Sequence, residues 1–148
     1  MLETSNGLRA HLGYWLRRLS DEVDGRFERE LAKQGVTVAQ WKVMSTIDRG
    51  DAVTTGDVAR FLGIDASAVS RLVDRLVLKG LMVRNPDPAS RRSMLLALTG
   101  TGSKLVPRLA QIAEENEAYF FDSLAEEQRT LLVDCIRTVL AGTESAGA

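Results

Sequence analysis

Apolar residues recur at steps of three and four along the N-terminal part of the chain, which places them on one face of an α-helix. The stripe consists of Leu8, Leu12, Trp15, Leu16, Leu19, Val23, Phe27 and Leu31. It predicts a long amphipathic helix that ends before Gly35. A second helix is expected from Thr37 to Gly50, because Thr37 and Gln40 have the spacing of a capping box.

Two shorter helices are predicted next, joined by a tight turn. Thr54 or Thr55 can cap the first, and Gly63 suits its left-handed C-terminal position. Asp65 is a favourable N-cap for the following helix, which Gly80 closes. The apolar residues of these two helices are Val58, Ala59, Leu62, Val69, Leu72, Val73 and Leu76.

The pattern then changes to two short strands, residues 81–84 and 93–98, followed by two more helices. Residues 85–92 contain Pro86 and Pro88, so we expect them to form a loop. The last helix is expected to fray after Ala141, and it carries Cys135 on its apolar stripe. A packed, unreactive thiol is the simplest interpretation of that position. The fold class is therefore mainly α with a small β-hairpin.

The composition is that of one domain over residues 1–148, with 45% hydrophobic residues and no apolar run long enough to span a membrane. Residues 1–8 lack the basic and apolar regions of a secretory signal. One cysteine excludes an internal disulfide, which favours a reducing, cytoplasmic setting. No metal site or cofactor is expected, because the single His11 has no ligand partner at a suitable spacing.

Charge is distributed unevenly although the net charge is only −1. Residues 66–92 hold six basic and two acidic side chains, a balance of +4 that leaves −5 for the rest of the chain. A basic segment within an acidic frame is typical of a protein in which one region contacts phosphates.

The third and fourth helices match a helix-turn-helix, in which the second helix enters the major groove of DNA. The hairpin after them would act as a wing, with Arg91 and Arg92 in the minor groove. The candidate DNA-binding residues are Thr55, Ser67, Ser70, Arg71, Arg75, Arg84, Arg91 and Arg92. A solvated helix face and an ordinary surface hairpin are the alternatives.

The chain resembles the multiple-antibiotic-resistance-regulator (MarR) family of winged helix-turn-helix repressors over about residues 8–140. The segments that carry the likeness are GVTVAQW (35–41), LGIDASAVSRLVDRL (62–76), KGL (79–81) and LTGTG (98–102). The resemblance implies a winged DNA-binding core at residues 37–99. It also implies an obligate homodimer, intertwined through residues 5–34 and 101–141, that binds a near-palindromic operator in double-stranded DNA.

The wing departs from the family's Asp-x-Arg-Asp-x-Arg pattern. The sequence keeps Asp87 and Arg92, but Ala89 and Ser90 replace the middle pair. Two interpretations stay open: either Arg91 compensates by contacting phosphate, or the tip of the wing is more mobile.

Resemblance to the family further implies release of DNA by a small aromatic effector. His11, Tyr14, Trp15 and Arg18 have the spacing of one helical face and combine aromatic rings with a cation, so they are candidate ligand-binding residues. The alternative is that Tyr14 and Trp15 pack in the dimer interface, with His11 and Arg18 at its rim.

An enzyme is not expected. The segment Gly100 to Lys104 resembles a phosphate-binding loop, but its glycine spacing is too short and Leu105 follows its lysine. The remaining alternative function is a winged-helix module that binds another protein. Such a surface needs aromatic anchors, and residues 67–75 contain none, which favours DNA.

Overall fold

The computed structural model describes residues 7–147, so most of the segment inspected for a signal, and residues 5 and 6 of the expected dimerisation region, lie outside it. A short 3-10 helix, Leu8–Ala10, precedes the regular elements. These are α1 (Leu12–Ala32), α2 (Val38–Arg49), α3 (Thr55–Leu62), α4 (Ala66–Leu78), β1 (Met82–Asp87), β2 (Ser90–Leu98), α5 (Gly100–Phe121) and α6 (Glu126–Ala146). The chain forms two compact units, Met1–Ala113 and Glu114–Ala148.

The long first helix is interrupted at its start, which the sequence pattern did not predict. His11 adopts an extended conformation and precedes α1 as its N-cap residue. The indole Nε1 of Trp15 donates to the carbonyl oxygen of Arg9 at 2.7 Å. In a continuous helix that carbonyl would accept from the backbone of Gly13. The Trp15 side chain therefore takes over one of the bonds that a helix through His11 would make.

The ends of the next helices agree with the expected capping residues. Thr37 and Gln40 form the predicted capping box at α2, and the hydroxyl of Thr54 accepts from the backbone of Asp57 at α3. Gly63 has a φ of 69° after α3, a conformation that a residue with a Cβ adopts only under strain. Asp65 occupies the N-cap position of α4 without a side-chain hydrogen bond to the helix.

The strands of the hairpin are longer, and its loop is shorter, than we expected from the positions of the two prolines. β1 and β2 are antiparallel, and only Pro88 and Ala89 connect them. Pro86 lies within β1 and pairs with Met94. The expectation of an eight-residue loop was wrong because β1, which carries Pro86, is an edge strand, where proline's missing N–H group is tolerated. The carboxylate of Asp87 closes the turn by accepting from the backbone of Ala89 at 2.9 Å.

The core of the first unit is built around α4. Val69, Val73 and Leu76 are fully buried on one side of this helix. They belong to a cluster that also contains Leu31 of α1, Val43 and Met44 of α2, Val58 of α3, Met82 of β1, Leu96 of β2, and Leu109 and Ile112 of α5. Every element of the unit except the 3-10 helix contributes to this cluster, so the position of α4 depends on all of them.

The second unit contains the end of α5 and the whole of α6. Within the single chain, no residue of α6 is buried. Cys135 is exposed rather than packed, in contrast to the expectation from its place on the apolar stripe. The helix continues to Ala146, so the expected fraying after Ala141 is also wrong.

None of the helices within residues 7–147 combines the length and apolar character needed to cross a membrane. Within the same range, no three His, Cys, Asp or Glu side chains are grouped so that they could hold a metal ion.

Truncation of a buried leucine on α4 tests the packing of this core. We expect Leu76→Ala to lower the free energy of unfolding by about 2–5 kcal/mol, because it removes apolar contacts and leaves a cavity. Leu78→Ala is the matched control, since Leu78 lies on the same helix and is 84% exposed. Urea denaturation measures both variants, and equal losses would contradict this packing.

Candidate nucleic-acid interface

The side of α4 opposite its buried residues is exposed and polar. We define the reading face as Ser67, Ser70, Arg71, Asp74 and Arg75, which follow the three- and four-residue spacing of one helical face. All are exposed or half-buried. The sequence had predicted four of these five residues as DNA contacts, and the structure places those four on this face.

A depression of about 630 Å³ lies between α4 and the start of α2. We call it the helix depression; its lining residues are Ala39, Ile64, Ala68, Arg71, Leu72, Asp74 and Arg75. Arg71 and Arg75 therefore lie together at one side of the reading face. Ser67, in the first turn of α4, lines neither this depression nor the next.

A second depression of about 550 Å³ lies where α3, α4 and the hairpin meet. We call it the wing depression; its lining residues are Thr54, Thr55, Gly56, Asp57, Arg60, Ser70, Arg84, Arg92, Ser93 and Met94. It unites four predicted residues, Thr55, Ser70, Arg84 and Arg92, from three separate parts of the sequence. Three arginines around one polar depression are suited to an anion.

Arg84 joins the hairpin to the reading face. Its Nη2 donates to the carboxylate of Asp74 and also to the carbonyl oxygen of Ser70, the latter at 3.3 Å. The ion pair partly neutralises the only acidic side chain of the reading face. Because only Nη2 is used, the other N–H groups of the guanidinium are left for a ligand.

Arg91 and Arg92 lie at an irregularity of the hairpin. Pro86 pairs with Met94 and Asp87 pairs with Ser90, so residues 91–93 of β2 have no Cα partner on β1. Such a bulge changes the direction in which side chains project. Arg92 lines the wing depression, whereas Arg91 is exposed and does not.

Arg60 is a basic residue of the wing depression that the sequence did not single out. It is exposed on α3 and forms an ion pair with Asp57. Hydrogen bonding to Thr54, and then the charge of Arg60, lower the pKa of Asp57 below its ordinary value. The spacing of Thr54, Asp57 and Arg60 along one helical face was the available signal, but the basic segment had been counted only from residue 66.

The four candidate ligand residues near the N-terminus are only partly brought together. Tyr14 and Arg18 line a depression of about 280 Å³, which we call the α1 depression, with Arg17, Asp21 and Glu22. Trp15 stacks edge-on against Tyr14 at 5.3 Å between ring centroids, but it is not part of the lining. His11 precedes the helix and is exposed.

Comparison with known proteins identifies the same architecture. Residues 34–93, which include every candidate DNA-binding residue, match the MarR family model. The chain is 29% identical over 105 residues to the multiple antibiotic resistance protein MarR of Escherichia coli, covering 71% of this chain and 73% of that protein.

Solved structures extend this likeness to most of the chain. A mutant MarR from E. coli complexed with operator DNA is 26% identical with a TM-score of 0.81, covering 87% of this chain and 93% of that one. CouR from Rhodococcus jostii RHA1, bound to p-coumaroyl-CoA, is 26% identical with a TM-score of 0.80, covering 91% and 95%. The fold of the chain is therefore that of the MarR winged helix-turn-helix regulators to which it is similar.

Proposed function

We propose that this protein is a homodimeric, sequence-specific repressor that binds near-palindromic duplex DNA and leaves it when a small aromatic acid binds. The observation that carries the proposal is the arrangement of arginines around α4. Arg71 and Arg75 lie on its reading face, and Arg60, Arg84 and Arg92 surround the adjoining wing depression. The operator complex of the similar E. coli protein supports the same ligand for this chain.

The two sets of arginines suit different parts of a duplex. A helix fits the major groove, where an arginine can form two hydrogen bonds with the O6 and N7 atoms of guanine. Arg71 and Arg75 are assigned this role. The wing depression combines guanidinium groups with the hydroxyls of Thr55 and Ser70, which suits backbone phosphates. Arg91, outside the depression, is assigned to the minor groove beside the wing.

Single arginine substitutions distinguish base contacts from phosphate contacts. We expect Arg71→Ala or Arg75→Ala to cost about 1–3 kcal/mol of binding free energy and to relax sequence preference, as the loss of a base contact does. We expect Arg92→Ala to weaken binding to all sequences similarly and to reduce the salt dependence. Electrophoretic mobility shift with DNA from upstream of the protein's own reading frame measures these effects.

The control for this experiment is Arg49→Ala, because Arg49 is exposed at the end of α2 and lines neither depression. Its affinity should match that of the unchanged protein. Wild-type affinity in all three test variants would reject the assignment of these arginines to DNA.

Uncovered apolar residues support the homodimer. On α6, Leu131, Cys135, Ile136, Val139 and Leu140 follow a helical spacing and are all exposed. On α1, the exposed apolar residues include Leu12, Leu16 and Leu19. An exposed apolar stripe of this kind, on each of the two helices, marks an interface. A second copy is the proposed partner, because a two-fold dimer presents two reading helices to two inverted half-sites.

A charge on the apolar stripe of α6 tests the dimer. Val139 is 67% exposed in the single chain, so Val139→Asp should not disturb a monomer but should bury an unpaired charge in the interface. We expect sedimentation to show a shift from dimer to monomer. Leu78→Asp is the control, because it introduces the same charge at an exposed apolar position on α4, and it should leave the mass of the dimer unchanged. A dimeric Val139→Asp protein would exclude this face as the interface.

The α1 depression supports an effector site. An aromatic ring beside a guanidinium suits a ligand that combines an aromatic ring with a carboxylate, and Tyr14 and Arg18 provide this pair. For the proposed repressor, release by such a ligand would allow the target genes to be expressed when the acid accumulates. The bound p-coumaroyl-CoA of the similar CouR supports an aromatic effector.

The effector assignment is tested with salicylate in the same mobility-shift assay. We expect salicylate to release the DNA, and Arg18→Ala to abolish that response while leaving DNA affinity without salicylate unchanged. Arg29→Ala is the control, because Arg29 is exposed on the same helix outside the α1 depression. Release that is unchanged in Arg18→Ala, or salicylate that tightens binding, would contradict the proposal.

A further inference from the structure

The residue before α5 is hydrogen-bonded directly to the residues that follow α4. The hydroxyl of Thr99 donates to the carbonyl oxygen of Gly80 at 2.7 Å, and the backbone N–H of Thr99 donates to that of Leu81 at 3.1 Å. The same hydroxyl accepts from the backbone of Gly102 at 3.0 Å. One side chain therefore caps α5 and also bonds the carbonyl group of Gly80, the residue of positive φ that follows α4.

Gly102 allows this contact because it has no side chain. A Cβ atom at this position would lie 2.1 Å from the carbonyl oxygen of Leu81. That oxygen belongs to the backbone, so it cannot move aside without displacing the chain. Leu81 is itself buried, and its N–H donates to the carbonyl oxygen of Leu76, a fully buried residue of α4. Gly102 is thus connected to α4 through backbone groups alone, with no flexible side chain between them.

The contact lies at the C-terminal end of α4, and Ser67 of the reading face lies in the first turn, at the other end. With its 13 residues α4 is about 20 Å long, so a tilt of about 6° at its C-terminal end moves the far end by about 2 Å. A shift of this size is larger than the tolerance of a hydrogen bond. A small change at Thr99 or Gly102 therefore becomes a large displacement of the N-terminal end of α4 relative to α5.

We propose that Thr99 and Gly102 are positioning residues, which fix the direction of α4 relative to the first turn of α5 and so select the half-site separation that the dimer accepts. This inference rests on the proposed function, because it requires a dimer that binds two half-sites. Neither residue lines the helix depression or the wing depression, so neither is assigned a contact with DNA.

The test compares duplexes that carry one half-site with duplexes that carry two at a series of separations. The variants are Thr99→Val, which keeps the shape but removes the hydroxyl, and Gly102→Ala. Their controls lie in the same turn: Thr101→Val at an exposed threonine, and Gly100→Ala, where an added Cβ meets no atom within 4 Å. Thr99→Ser restores the hydroxyl.

We expect both variants to lose affinity about tenfold or more at the separation that the wild type prefers, the loss expected when a base contact is missed. A shifted preferred separation would support the inference equally. Affinity of both variants for the single half-site should stay at the wild-type level. The two controls and Thr99→Ser should match the wild type on one half-site and on two.

Circular dichroism and sedimentation establish that each variant is a folded dimer. Equal losses on one and two half-sites, an unchanged preference for separation in both variants, or failure of both to fold would overturn the inference, because the contact would then serve stability alone. Absence of any DNA binding by the wild-type protein is a different result, which rejects the proposed function itself.

Discussion

The burial of one side of α4 is the constraint on which the rest of this structure depends. Val69 and Val73 are fully buried, and six other elements supply the neighbours that exclude water from this side. The opposite side cannot turn inward, because an unpaired arginine such as Arg71 or Arg75 is too costly to bury. Packing in the core therefore fixes both the presence and the direction of the reading face.

Electrostatics then divide the reading face and the adjoining wing depression into two basic regions. Asp74 would repel phosphates if it were free, but the guanidinium of Arg84 holds its carboxylate and also ties β1 to α4. Positive charge consequently prevails on both sides of this ion pair, with Arg71 and Arg75 on one side and Arg60 and Arg92 on the other. The division matches the proposed difference between base reading and phosphate anchoring. It also makes Arg84 a structural link as well as a member of the site.

Features that depend on neighbouring residues were predicted well, and features that depend on distant ones were not. The limits of α2 and α3 follow from Thr37, Thr54 and Gly63, whose capping bonds and backbone angles are local. The break at His11 was missed because it involves an indole that folds back on Arg9. Pro86 was misread as part of a loop, because the sequence does not show that β1 is an edge strand.

The sequence by itself determined the order of the elements, the mainly helical fold and the set of charged residues on α4, because periodicity and capping are set by residues a few positions apart. Only the tertiary structure decided which residues from different elements lie together. Arg60, Ser70 and Arg92 converge on one depression although the turn, α4 and the hairpin separate them in the chain. Likewise, the need for glycine at position 102 arises from a backbone that approaches from α4. Long-range packing places such groups together, and a local sequence pattern does not predict these contacts.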